Sequence, residues 1–387
     1  MINSIALRNF IKQGTRSLLN VFIAGFSIIA VVFMLSLLNG FQVQATQNLA
    51  STDVGGGQYR APDFDLLTPT EWEDHVVQTP QRFRNDPRAV EILILKGELY
   101  PNNRLFPVQL RGVESQQTLL DLPLDSLDGH GRKIGEVIPV VLGNRMAKKV
   151  HLEKGDQLIL KWRDKFGAVD AKEIVVKDVA NMINPRIDEG VVWLRLDHLR
   201  ELTRRPGEVS WITVPEYLDT VERMKFHSPE FLMSDLLNLL RHDRRNSKIL
   251  WFILMFLAGI SIFNTQILNV FKRQKEIGTL MALGMTSNQV TSLFVREGIL
   301  AAIGVLLISG LLGIPFFAWF QSVGFDVSHL SESTIPVKEK IFLTFDPAEI
   351  ISCVVTVISM IIIVAWWPVR NISRLDPTRA LLGKAIV

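Results

Sequence analysis

Cysteine is almost absent. Cys353 is the one thiol in the chain, and it sits inside an apolar run. No disulfide can form within the chain, and a cysteine-based metal site is excluded. Any part outside the cytoplasm must fold without covalent staples. Catalytic signatures are missing as well. There is no Gly-x-x-x-x-Gly-Lys-Ser/Thr phosphate loop, so the chain itself is not expected to hydrolyse ATP. There is no His-Glu-x-x-His and no Cys-x-x-Cys. The seven histidines are scattered. His198 beside Asp197 comes nearest to a catalytic pair, and Asp197 is better explained as a helix cap. Gly55-Gly56-Gly57 has no helix signal behind it and makes a poor phosphate cradle. Net charge is only +3. No dense Lys/Arg tract is interleaved with aromatics, which argues against nucleic acid. No catalytic, cofactor-binding or metal-ligating residue is expected.

Long uncharged runs are what the chain has instead. Hydrophobic residues make up 48% of it, against 21% charged, and the mean hydropathy is +0.23. That average mixes a strongly apolar population with an ordinary one. Leu18 to Gly40 carries no charge and would form roughly 34 Å of helix, enough to cross a bilayer core of about 30 Å. It is also longer than the apolar region of a signal peptide. Ile249–Phe271, Gly298–Phe320 and Ile350–Val369 are likewise free of Asp, Glu, Lys and Arg. One charge at the centre of such a helix costs about 2.5–3.5 kcal/mol on insertion.

Basic residues set the orientation. Arg8, Lys12 and Arg16 precede the first run, on a segment that reads as an amphipathic surface helix. Lys272, Arg273 and Lys275 follow the second run, and Arg370, Arg374, Arg379 and Lys384 follow the fourth. Both termini are then expected in the cytoplasm. Arg241, Arg244, Arg245 and Lys248 fall on the outer side, but they end a domain of about two hundred residues, and long translocated domains weaken the rule. No run holds an ionisable pair of the kind that marks an ion or proton path.

Small and polar residues recur at helix-contact spacing. Ser261, Thr265 and Asn269 form such a stripe in the second run and are candidates for a subunit interface. Gly298 with Ala302, Ser309 with Gly313, and Ser352 with Thr356 read as packing within one bundle. Pro315 should kink the third helix.

Between the first two runs lies an insert. Val90–Leu95, Phe106–Val113, Ile138–Leu142, Gln157–Trp162, Glu173–Val179, Val191–Leu194 and Val209–Val214 read as strands. Asn144–Val150, Asp197–Arg204 and Pro215–Lys225 read as helices, with Asp197 as a cap. Gly155-Asp156 reads as a turn. Asp125 to Lys133 is a candidate split between two subdomains. Ser228 caps a last helix, with Pro229 in its first turn, and no breaker separates that helix from the second apolar run.

The most informative stretch is Phe271 to Met285. Ile277, Leu280, Met281 and Met285 fall on one face at helical spacing. Lys272, Arg273, Lys275 and Glu276 crowd its first turns. Gly284 stands where a left-handed residue would close the helix, and Thr286-Ser-Asn-Gln289 is a capping-box pattern for the next one. The apolar face is expected to need a partner's groove. Asp at Ile277 or Leu280 is expected to uncouple that partner and leave the fold intact.

Arg273-x-x-Glu-Ile-Gly-x-x-x-Ala-Leu-Gly284, followed by Phe294-x-x-Glu-Gly298, resembles the FtsX-like permease domain of type VII ABC transporters, the MacB/LolC/LolE-like group. Pro368-x-Arg370 and Asp376-Pro-x-x-Ala-Leu381 are similar to that domain's closing motif, and Leu7-Arg-Asn with Arg16 to its opening helix. Leu142–Gly155 and Asn184-Pro-Arg-Ile-Asp188 are similar to the family's periplasmic core domain. Many members have Glu immediately before the matching Arg, where this chain has Lys272.

The resemblance implies an α-helical membrane protein with four transmembrane helices and a large α+β periplasmic insert between the first two. Its implied division is a cytoplasmic amphipathic helix at 1–17, spans at 18–40, 248–271, 291–320 and 348–369, a periplasmic core at 41–247 with a helical stalk at 228–247, a cytoplasmic coupling helix at 272–290, a periplasmic loop at 321–347 and a cytoplasmic tail at 370–387. Arg273, Glu276, Ile277, Gly278, Leu280, Met281, Leu283 and Gly284 would couple to a separate ABC ATPase, which uses the ATP and Mg. The other implied partners are a second permease copy or paralogue, membrane lipids and a periplasmic lipoprotein carrier or adaptor. The location would be the bacterial inner membrane. The length of the third-to-fourth loop is similar to that of lipoprotein-releasing permeases. The alternatives are MacB-like efflux of peptides or hydrophobic drugs and FtsX-like regulation of cell-wall hydrolases.

Overall fold

The computed structural model describes residues 14–64, 75–84, 86–101, 104–127, 137–242, 272–327, 336 and 340–372. Within the second apolar run it describes residues 249, 251–253, 256, 260, 263, 267 and 271, each helical. The chain divides into two compact units. One comprises Met1–Phe41, Arg241–Phe325 and Ile341–Val387; the other comprises Gln42–Leu240 and Asp326–Lys340.

The first unit is built on the start of the long helix α1 (Gly14–Leu49), the short helix α2 (Gln274–Ala282) and the long helices α3 (Ser287–Val323) and α4 (Pro347–Ile372). Among the described residues, three helices are long and apolar enough to cross a membrane: Val21–Val54, Ser287–Val323 and Pro347–Trp367. The rest of the second run lies outside the described residues, as do residues 1–13 of the expected surface helix and 373–387 of the tail.

Val21, Ala24, Ile28 and Val31 of α1 pack with Ala302 and Val305 of α3 and with Cys353, Val357 and Ile361 of α4. Phe26, Leu307, Leu311, Ile314 and Ile351 stay exposed, as lipid-facing positions do. The small residues mark close approach between helices. Ser309 Oγ donates to Gly25 O at 3.2 Å. A Cβ at Gly298 would fall 2.8 Å from Ala365 Cβ. Helix α3 is continuous through Pro315.

The second unit carries a nine-stranded sheet. Its strands are β1 (Gln58–Arg60), β2 (Val90–Tyr100), β3 (Phe106–Val113), β4 (Ile138–Gly143), β5 (Gln157–Arg163), β6 (Val169–Ala180), β7 (Val191–Arg195), β8 (Trp211–Thr213) and β9 (Lys225–His227). Their spatial order is β9-β1-β8-β2-β3-β7-β4-β6-β5, and β2 also pairs with β5. Strands β2, β3, β7, β4, β6 and β5 therefore close into a ring.

Pairs β3–β7 and β4–β6 are parallel, and the rest of the ring is antiparallel. Leu93, Leu95, Leu110, Val140, Leu160, Val176 and Val192 fill one side of the sheet. Ile92, Ile94, Val113, Val141, Trp193 and Trp211 form a second core on the other. In β2, β4 and β7 burial on both faces goes with nearly unbroken apolar sequence, whereas β5 alternates buried and exposed residues. On the second face the guanidinium of Arg60 is sandwiched, 4.2 Å from the Phe64 ring and 3.9 Å from the Trp211 ring. Burial pushes its pKa down to about 9.

Strands from both sides of Asp125–Lys133 join this one sheet. Only Asp125–Leu127, a single 3-10 turn, is described in that stretch.

Three local expectations are corrected. Pro215–Lys225 forms no helix. The Tyr59 hydroxyl accepts from the backbone N–H groups of Leu218 and Asp219, both at 3.1 Å, and donates to Asp219 O at 2.7 Å. Lys225 then begins β9, which pairs with β1. Asp197 is no cap: its helix starts at Leu196, after Arg195, and Asp197 pairs with Arg195 at 2.6 Å inside the first turn. The helix begun at Ser228 is Pro229–Leu232, capped as expected. It turns at Met233, and residues 234–242 are helical. Residues 243–248, the expected join to the second run, lie outside the described residues.

Candidate functional site

Helix α2 and the first turns of α3 form a tight hairpin. Its turn is fixed by local chemistry. Gly284 has φ +100°, the left-handed conformation that favours glycine. Gly284 N donates to Met281 O at 3.0 Å and Met285 N to Leu280 O at 3.1 Å, the double closure of a Schellman motif. Thr286 then caps α3. Its hydroxyl accepts from Gln289 N at 3.4 Å, and its own N–H donates to Gln289 Oε1 at 3.0 Å. Both capping patterns were legible in the sequence.

The apolar stripe does not face outward. Ile277 is fully buried against Val290 and Phe294 of α3, with Met281 and Met285 packed around them. Gly278 is buried too, and Leu280 is half-buried. The expectation that Ile277 waits for a partner's groove is therefore corrected. A short helix that folds back on its successor covers its apolar face with its own chain first. The outward face consists of Lys275, Glu276, Thr279, Ala282, Leu283 and Gly284. Leu283 is 79% exposed, although its side chain is fully apolar.

The polar members of the motif converge on one guanidinium. Arg273 Nη1 donates to Glu297 Oε2 at 2.7 Å and Nη2 to Oε1 at 3.5 Å, while Nε donates to Glu276 Oε2 at 2.8 Å. The same group lies 4.7 Å from the Phe294 ring centroid. Burial works against its charge, but the hydrogen bonds and charges of Glu297 and Glu276 more than offset that, and its pKa lies above the ordinary arginine value. Phe294 and Glu297 were visible in the sequence only as companions of the motif. The signal for their role is an acid standing directly before an uncharged run, three residues after an aromatic.

Ser261, Thr265 and Asn269 lie outside the described residues.

A second constellation lies in the sheet unit. The two segments Leu142–Gly155 and Asn184–Asp188 meet there. The Asp188 carboxylate accepts from Arg145 N at 3.2 Å and faces Arg145 Nε at 3.6 Å. It thus caps the helix Asn144–Val150 from another segment. A Cβ at Gly143 would fall 1.9 Å from Asp188 Oδ1, so only glycine admits this approach. Burial pushes the Asp188 pKa up to about 6, partly opposed by Arg145. Asn184 Nδ2 donates to Thr52 Oγ1 at 3.3 Å. These contacts hold the fold together and offer no exposed nucleophile. No group of three or more His, Cys, Asp or Glu able to hold a metal occurs among the described residues.

Residues 248–377 match the family model described as FtsX-like permease C-terminal. The chain is 29% identical over 127 residues to the macrolide export ATP-binding/permease protein MacB of Photorhabdus laumondii, covering 33% of this chain and 18% of that protein. It is 27% identical over 175 residues to a probable export ATP-binding/permease protein of Pseudomonas fluorescens, covering 43% and 25%. It is 25% identical over 257 residues to MacB of Salmonella typhimurium, covering 64% and 35%. The alignments thus span between 18% and 35% of the length of these relatives. Among solved structures, the periplasmic region of MacB from Actinobacillus actinomycetemcomitans aligns loosely, with a TM-score of 0.30 and 10% identity over 50% of this chain and 97% of that one.

Proposed function

We propose that this chain, which carries an FtsX-like permease C-terminal domain, is the membrane subunit of an ATP-driven transporter, and that a separate ATPase grips the outward face of α2. One observation carries the reading. A rigid hairpin, closed at Gly284 and capped at Thr286, stands between two apolar runs and holds Leu283 79% exposed. A single exposed leucine is ordinary on a protein surface; what supports the reading is that this one sits at the turn of a conformationally fixed hairpin inside the segment that matches the FtsX-like permease model. The relatives' names join an ATP-binding function to a permease. No phosphate loop occurs in these 387 residues, so the nucleotide would be bound elsewhere.

In this reading the hairpin and the end of α4 face the cytoplasm of a bacterial inner-membrane protein, and the sheet unit is periplasmic. Lys272, Arg273 and Lys275 flank the second run, and Arg370 stacks over Trp366 at 4.7 Å where α4 ends. Aromatic and basic residues gather at such interfaces. A second copy or a paralogue would complete the membrane part. ATP-driven closure of the motor would push α2 and, through it, the helices.

For the cargo, the reading drawn from the loop after α3 is extraction of lipoproteins from the membrane for a periplasmic carrier. The relatives' names favour a second reading, export of macrolides. Purification of the chain from its native membrane tests the motor: an ATP-binding protein should accompany it, and be lost from the Leu283→Glu variant. Depletion of the chain separates the cargoes. Lipoproteins retained in the inner membrane support the first reading; normal sorting with macrolide sensitivity supports the second.

A further inference from the structure

The α2–α3 hairpin is pinned at its open end as well as at its turn. Helix α2 has nine residues, about 13 Å of helix, and runs back beside α3. Arg273 stands at the end of α2 remote from the Gly284 turn, directly after the last residues of the second apolar run. Glu297 stands about 15 Å along α3 from its start at Ser287. The two lengths match, and the Arg273–Glu297 pair closes a triangle with the Gly284 turn at its apex. The Ile277, Val290 and Phe294 contact fills the interior.

The pin is built to resist bending. It uses two parallel donors on one carboxylate, a geometry that fixes orientation as well as distance. Its side chains are 15% and 9% exposed, so water competes weakly. Phe294 backs the guanidinium plane. An apolar pair would have filled this space without the desolvation penalty of a buried ion pair. What an apolar pair lacks is a defined angle. Gly298 follows Glu297 at once and lies against Ala365 of α4, so whatever moves Glu297 moves a helix–helix contact.

We infer that Arg273 is a positioning residue. Its clamp on Glu297 makes α2 and α3 one rigid body, so that a push on α2 displaces the third apolar helix instead of flexing the Gly284 turn. The rigidity stands on the geometry alone; its use in transport rests on the proposed docking of a motor on α2.

The test uses the full chain in lipid, with Cys353→Ala to remove the native thiol and nitroxide labels at Lys275→Cys and Ser292→Cys. Pulsed spin-label spectroscopy should give one narrow distance distribution. Glu297→Gln should broaden it and shift it to longer distance. The charge exchange Arg273→Glu with Glu297→Arg should narrow it again, since Glu276 is 65% exposed and can turn away. Glu276→Gln should leave it narrow. An unchanged distribution in Glu297→Gln overturns the inference, as does a charge exchange that folds but stays broad. If Glu297→Gln does not fold, Arg273→Lys decides in its place: it keeps the charge and loses the fork, and an unbroadened distribution overturns the inference.

A second arm uses the complex with the co-purified ATPase and labels at Phe26→Cys and Leu311→Cys. ATP with vanadate should shift that distance in the otherwise unmodified complex. Glu297→Gln should lose the shift while retaining the same amount of ATPase; a retained shift overturns the transmission role. Absence of any ATPase from the unmodified chain would refute the proposed function, and the first arm would still decide the clamp.

Discussion

Asp188 is a carboxylate of the sheet unit whose charge responds to pH above the ordinary carboxylate range. Its ordinary value of 3.8 is raised to about 6 by burial. A carboxyl whose folded pKa is raised favours the folded state when protonated. Its contribution is therefore complete below about pH 4 and is lost as pH rises toward and past about 6. Thermal unfolding of the full chain in detergent should show a midpoint that falls across that window. Asp188→Asn, which keeps an acceptor for Arg145 N–H, should flatten the trend. A second contrast is between neighbours on α2. Ile277→Ala removes a fully buried side chain and should destabilise the hairpin by about 2–5 kcal/mol. Leu283→Glu touches an exposed side chain and should leave the melting temperature within error, while weakening ATPase capture by at least about tenfold, the cost of losing an interface anchor. The sequence placed Ile277 on the apolar face of the helix, and Leu283 entered only through the resemblance to the family motif. It did not say which face was covered, because the cover, Val290 and Phe294, belongs to the next helix.

At the scale of elements, termini were readable wherever a local pattern decides them. Gly284, Thr286 and Ser228 each hold the place that their residue type suggested, because capping involves neighbours within four positions. Thr286→Ala should cost about 1 kcal/mol, measurable as earlier unfolding or faster amide exchange in the first turn of α3. Strands of the closed ring were readable from short runs rich in Val, Ile and Leu, nearly unbroken in β4 and β7 and alternating with polar residues in β5. Pro215–Lys225 was misread because its conformation is set by the Tyr59 hydroxyl, some 160 residues away. Asp197 was misread as the cap, which lies two positions earlier at Arg195: Arg195 holds the Asp197 carboxylate within the first turn. Helix contacts in the membrane unit were partly readable. Small residues announced close approach, and the structure supplies the partner. Gly298→Ala should force α3 away from Ala365 and cost about 1–3 kcal/mol. Ala365→Gly in the same chain should recover most of the loss, by the same thermal measurement.

At the scale of the molecule, the chain has a helical unit with three described apolar spans and a sheet unit in which β2, β4 and β7 are buried on both faces. The long apolar runs, the uneven basic flanks and the motif between Arg273 and Gly298 were all legible, since composition and spacing carry them. The ring closure of β2 on β5 was not, because strand order is a non-local property. The ion pair between Arg273 and Glu297 was not, because its partners are 24 positions apart. The account depends on the outward face of α2 meeting a nucleotide-driven protein. A photo-crosslinking residue in place of Leu283, activated in intact cells, tests this most directly. The captured protein should bind ATP and should disappear from the adduct when Lys275 and Thr279 are also replaced by bulky acids. Capture of lipid alone, or labelling of position 283 by an impermeant reagent from outside the cell membrane, would contradict the account.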